Sequence, residues 1–171
     1  VQGWTFNNLT FGSGLEVGTT TPASTATTTV SGVFTISTAH MLDAGASHWS
    51  LEGTGGVFVE DGTFLEDTSA VRYGGALGNT VLNTEYYDLV VEASGGSPTF
   101  TTDTGGIHVF NDLHVGGAAT TTFSLYATDP IFAVSGDVFI SSNGTFVGSD
   151  TNELTVSGSW DNDGNFVGSN G

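Results

Sequence analysis

Apolar residues along the chain fall into short alternating runs separated by Gly, Asn, Asp and Ser. In Val30-Ser-Gly-Val-Phe-Thr-Ile-Ser37, Gly56-Val-Phe-Val-Glu60, Tyr87-Asp-Leu-Val-Val91 and Leu154-Thr-Val-Ser157 the alternation is that of a pleated strand with one face in a core. β-Branched residues recur in these runs, as such a surface favours. Nowhere do apolar residues recur at three-and-four spacing over the roughly ten positions of an amphipathic helix. The 26 glycines spread through the chain would weaken any helix that formed. The pattern predicts a single all-β domain over 1–171.

The punctuation repeats. Asp61-Gly-Thr-Phe-Leu-Glu-Asp67, Asn143-Gly-Thr-Phe-Val-Gly-Ser149 and Asp163-Gly-Asn-Phe-Val-Gly-Ser169 share a turn pair followed by a small polar residue, Phe and a branched aliphatic. A second motif sets Val four and six positions before large or branched residues: Val30, Phe34, Ile36; Val109, Leu113, Val115; Val134, Val138, Ile140; then Val156 and Trp160. Copies about 22 to 25 residues apart have the length of one coil of a β-solenoid. A longer period of about 80 residues relates Phe6-Asn-Asn-Leu-Thr-Phe11 to Tyr86-Tyr-Asp-Leu-Val-Val91, and Val30 to Val109. We read a first unit over 5–84, and over 85–171 a second unit with the start of an incomplete third.

The aromatic-Asn-Asn-Leu-Thr-Phe run at 6–11, Val-Ser-Gly-Asp-Val-Phe-Ile-Ser at 134–141 and Asn-Gly-Thr-Phe-Val-Gly at 143–148 resemble the degenerate repeats of large bacterial surface proteins, of the filamentous-adhesin or autotransporter-passenger type. The resemblance covers most of the chain outside residues 15–29. It implies a parallel β-helix serving as an extracellular scaffold, stalk or fibre, and it carries over no catalytic residue. The rival architecture is an antiparallel sandwich, in which Val57–Leu65 and Ile140–Val147 are hairpins turning at Asp61-Gly62 and Asn143-Gly144. The repeats favour the parallel solenoid.

Composition narrows the function. One Lys or Arg stands against 18 acidic residues, for a formal net charge of −17. No basic surface exists to replace phosphate counterions, so nucleic acid is not an expected partner. Cysteine is absent, which removes disulfides and thiolate metal sites. No apolar run reaches the roughly 20 residues of a membrane-spanning helix. The chain opens on Val1, as a processed or excised piece would, and is rich in Thr, Ser and Gly without lysine. An extracellular or cell-surface location is expected.

Chemistry is sparse. Asp161, Asp163 and Asn165 alternate before a tight turn as the first ligands of a calcium loop do, but position 172, where the distal Glu would stand, is absent. Calcium is the only cofactor the sequence suggests. His40, His48, His108 and His114 lack zinc spacing and are expected at the surface or in packing. Arg72 is expected to pair with a carboxylate or an aromatic ring. Glu60-Asp61 and Glu66-Asp67 are strand neighbours pointing to opposite faces, so they do not make a glycosidase pair. No nucleophile elbow is present, and no enzyme is expected.

A solenoid exposes strand edges at its ends, and the last repeat unit is expected to be broken in the middle. The residues expected to meet other copies are Val1, Trp4, Phe6, Leu9 and Phe11 at one end and Trp160, Phe166 and Val167 at the other. The leading expectation is therefore a filament or surface-fibre subunit, joined head to tail by edge pairing and apolar stacking. The alternative is a carbohydrate-binding or adhesive module, with surface glycans stacking on Trp4, Trp49, Tyr86, Tyr87 or Trp160.

Overall fold

A computed structural model describes residues 3–13, 17–23 and 25–168. Every described regular element is a strand, of two to four residues, and every pairing is parallel. One sheet runs the length of the molecule and serves as its spine. It orders β1 (Trp4–Phe6), β4 (Thr27–Val30), β7 (His48–Leu51), β11 (Ala70–Tyr73), β14 (Asp88–Val91), β17 (Leu113–Val115), β20 (Val138–Ile140) and β23 (Trp160–Asn162). Register partners Trp4, Thr28, Trp49, Val71, Leu89, Leu113, Val138 and Trp160 lie 18 to 25 residues apart. Eight spine strands thus make about seven turns of a β-solenoid.

Two lateral faces complete each turn, and they change partway up. The lower turns use β2 (Leu9–Phe11), β5 (Phe34–Ile36) and β9 (Phe58–Glu60) on one face, with β3 (Gly18–Thr20), β6 (His40–Asp43) and β10 (Thr63–Leu65) on the next. The upper turns use a second pair of faces. One holds β8 (Gly55–Gly56), β12 (Asn79–Val81), β15 (Thr99–Thr102), β18 (Thr121–Ser124), β21 (Gly144–Val147) and β24 (Asn165–Val167). The other holds β13 (Glu85–Tyr86), β16 (Gly106–Val109), β19 (Ile131–Val134) and β22 (Leu154–Val156).

Alternation builds the core directly. Inward side chains of stacked turns lie over one another as ladders: Leu51, Tyr73, Val91, Val115 and Ile140 on the spine, and Phe100, Phe123 and Phe146 laterally, all buried. Each fully buried Phe contributes about 1.5–3 kcal/mol by leaving water. Hairpins do not occur at the Asp-Gly and Asn-Gly pairs. β9 and β10, which flank Asp61-Gly62, pair with β5 and β6 of the turn below and not with each other. Asn143-Gly144 likewise forms a corner between β20 and β21, each paired to the turns above and below. The Thr-rich residues 19–29 give both their ends to strands, β3 and β4.

A corner staple recurs through the stack. Asn8 Oδ1 accepts the Val33 amide at 2.8 Å, one turn above it. In the upper half the Asp112, Asp137 and Ser159 amides donate to Asp88, Asp112 and Asp137 Oδ1 at 3.2, 2.9 and 2.6 Å. Backbone bonds run in the same column, with Gly32 N–H donating to the Asn7 carbonyl, Gly136 to Asn111 and Gly158 to Gly136. The turns are so close here that a Cβ at Gly136 would lie 2.6 Å from the Asn111 carbonyl carbon. That is the physical need for Gly in the Val-Ser-Gly motif.

The handover between lower and upper faces is satisfied by polar groups. The Leu82 amide donates to Tyr73 Oη at 3.2 Å, and the Tyr86 hydroxyl donates to the Leu82 carbonyl at 2.8 Å. That leaves the Tyr73 hydroxyl to donate to Tyr86 Oη across 2.8 Å. Burial pushes both hydroxyls well above the usual phenol range. Beside them Glu60 stands in the inward register of Ile36 and accepts the Phe64 amide at 3.0 Å.

Candidate assembly surfaces at the two ends

The outer edges of β1, β2 and β3 below, and of β22, β23 and β24 above, have no strand partner among the described residues. Inward side chains there stand in the same register as the core ladders but are covered on one side only. At the lower end Trp4 is 68% exposed, and Phe6, Leu9 and Phe11 are half-buried. Trp4, Thr28 and Trp49 form one ladder, and the small Thr28 between two indoles opens a groove of about 310 Å³. Phe6, Leu9, Phe11, Thr20 and Pro22 complete its lining.

At the upper end Trp160 and Phe166 are each 38% exposed, whereas Phe146, one turn below Phe166 in the same ladder, is fully buried. The three rings cluster, with Trp160 and Phe166 at 4.9 Å between centroids and Phe146 within 6.2 Å of both. Val167 points outward beside them and is exposed. The residues expected to meet other copies therefore lie at opposite ends of the solenoid, with Val1 outside the described residues.

Asp161 lies on the outward face of β23, Asp163 in the following turn and Asn165 at the outward start of β24. All three are exposed. The turn is closed from within the chain: Gly164 N–H donates to Asn162 Oδ1 at 3.1 Å, and Asp163 N–H to the Ile140 carbonyl. Among the described residues no group of three His, Asp or Glu is placed to hold a metal ion.

Arg72 and three of the four histidines have structural partners. Arg72 on β11 reaches Glu52 and Ser50 from the turn below and Glu92 from the turn above, with the Glu92 carboxylate at 3.4 Å. His40 bonds the Thr20 hydroxyl at 2.9 Å, His108 bonds Ser135 at 2.9 Å, and His114 stacks on Phe139 at 4.6 Å. His108 and His114 occupy different faces. Tyr86 is buried, and Trp49 is buried apart from the wall it gives to the lower groove.

One well-formed site is illegible in the sequence. Asp129, in left-handed backbone at φ 51°, accepts the Thr151 hydroxyl and the amides of Thr151, Asn152 and Asp150, pinning the loop before β22. Those donors, the Thr151 hydroxyl foremost, hold its carboxyl down at about 2. The only local signal is Asp before Pro130, a common turn pair.

Comparison of the chain with protein-family models, with curated proteins and with solved structures gives no match. No described helix is long and apolar enough to cross a membrane.

Proposed function

We propose that the chain is a structural segment of an extracellular filament or surface fibre, joined head to tail to other copies through strand-edge pairing and apolar stacking. The observation that supports it is the apolar inward lining of the outer sheet edges, set against one sheet end inside the molecule. Where the face of β2, β5 and β9 ends inside the molecule, its last strand places Glu60 at an inward position. An inward charge is a recognised device against adding a further strand. At the outer edges no inward position is charged: Trp4, Phe6, Leu9, Phe11 and the uncharged Thr20 stand at one end, and Leu154, Val156, Trp160, Phe166 and the uncharged Asn162 at the other.

A flat apolar edge with unpaired N–H and C=O groups recruits another strand, and an end that meets a different end propagates without closing. The carbohydrate reading is weaker because a sugar needs hydrogen-bonding side chains beside the ring. The lower groove offers Thr20 and Thr28, and Thr20 is already paired with His40. The surface location rests on the lysine-free, cysteine-free and strongly acidic composition. Sedimentation velocity with electron microscopy over a concentration series tests the proposal. Particles should lengthen with concentration, and Trp160→Asp with Phe166→Asp should return them to monomers. Compact monomers of the unaltered chain at every concentration would refute it.

A further inference from the structure

We infer that successive copies dock with a one-face advance: β1 of the incoming copy on β22, β2 on β23 and β3 on β24, in place of spine on spine. The inference rests on the head-to-tail reading and specifies its register. Its basis is that the corner staple occupies two different positions around the axis. In the lower half it joins the spine to the face that follows it, through Phe6-Asn-Asn-Leu9 and Val30-Ser-Gly-Val-Phe34. In the upper half it joins the lateral face of β13, β16, β19 and β22 to the spine, through Tyr86-Tyr-Asp-Leu89 up to Val156-Ser-Gly-Ser-Trp160.

The same geometry has therefore moved by one face within a single chain, while the spine sheet continues unbroken through β7, β11 and β14. The insertion that does this is visible at Glu52–Val57, where the lower corner column reaches Gly53 over Gly32 and the chain then opens to admit β8.

A rung added above β22, β23 and β24 continues the upper corner column only if its own staple lies over Val156–Trp160. In an incoming copy that staple is Phe6–Leu9. Placing it there sets the inward pair Trp4 and Phe6 over Leu154 and Val156, and the inward pair Leu9 and Phe11 over Trp160 and Asn162. Apolar meets apolar at three of the four positions. A three-residue corner beside a two-residue one has precedent at Leu113 over Leu89 and at Phe34 over Leu9. Spine-on-spine docking would instead set the staple over Asn162-Asp-Gly-Asn165, a turn closed by Asn162 and lacking the column.

The chain has no cysteine, so paired cysteines report register without background. Thr5, Thr10, Thr155 and Asp161 are all exposed outward positions. The advance places Thr10 beside Asp161 and Thr5 beside Thr155 across the junction, at the strand separation of about 4.8 Å, within reach of a short thiol cross-linker. Asp161→Cys with Thr10→Cys, and Thr155→Cys with Thr5→Cys, should each give a covalent ladder of multimers on a denaturing gel. Asp161→Cys with Thr5→Cys should give none. A ladder from that last pair, or oligomers in sedimentation with no ladder from the first two, overturns the advance while leaving assembly standing. Monomers for every variant and for the unaltered chain overturn the assembly reading and the register with it.

Discussion

Phe146 and Phe166 occupy consecutive positions of one ladder and differ in a single respect, which makes them a measure of what the upper end lacks. Phe146 is fully enclosed, by Phe123 at 5.5 Å, Phe132 at 6.0 Å, Trp160 at 6.2 Å and Phe166 at 5.9 Å. Phe146→Ala removes the whole ring and leaves a cavity that its neighbours cannot fill, at a cost of about 3–5 kcal/mol. Phe166 retains 38% exposure and has no turn above it among the described residues, so Phe166→Ala loses only the buried share of its transfer energy, about 1–2 kcal/mol, with no closed cavity. The assay is urea unfolding of dilute protein, with hydrogen exchange to locate the change, because a stack couples mainly nearest turns. Raising the protein concentration should then expose a second cost. The uncovered 38% is worth about 0.6–1 kcal/mol when a copy covers it, or roughly three- to fivefold in each association constant. Equal losses for the two variants in dilute protein would mean that Phe166 is already enclosed, and the end-to-end reading would lose its basis.

Other outcomes follow from the polar groups. Tyr86→Phe deprives the buried Tyr73 hydroxyl of its acceptor and should cost about 1–3 kcal/mol in chemical denaturation; a loss below the error of the measurement would mean that the hydroxyl finds another partner. Because both phenols are held above their ordinary 10.0, the stability they contribute is complete below pH 10 and is lost as pH rises beyond it, with tyrosinate absorbance from this pair appearing only on unfolding. Asp129 has the opposite sign: its contribution is complete above the ordinary 3.8 and is lost as pH falls through about 2. Protection of the Thr151 and Asn152 amides relative to free-peptide exchange should fall across that window and should already be low in Asp129→Asn. Added NaCl should strengthen association by screening copies of net charge −17, as light scattering would show. An excess effect of calcium over magnesium at equal ionic strength, abolished by Asp161→Asn with Asp163→Asn, is the result that would assign an ion to that turn.

Residue alternation is a local property, and it determined much about this protein. Pleated runs such as Val109–Val115 and Val134–Ile140 declare strands, and their recurrence every 22 to 25 residues declares stacked turns, because a side chain repeating at one coil length has its equivalent as neighbour. That Trp4 and Phe6 stand at one end of the stack and Trp160 and Phe166 at the other was legible for the same reason. What lay beyond reach depends on partners a whole turn away. Arg72 meets carboxylates 20 residues distant on either side, and the Asp88, Asp112 and Asp137 staple bridges residues 22 to 25 apart. Asp61-Gly62 has the local chemistry of a hairpin turn, yet it makes a corner because β9 and β10 find better partners in the turn below. The shift of the staple by one face is the clearest case. The motif is the same at Val30 and at Val109, and only the short insertion carrying β8 moves it around the axis. Sequence set which segments stack, while the path of the chain between them, summed over every corner, decided which face each one joined.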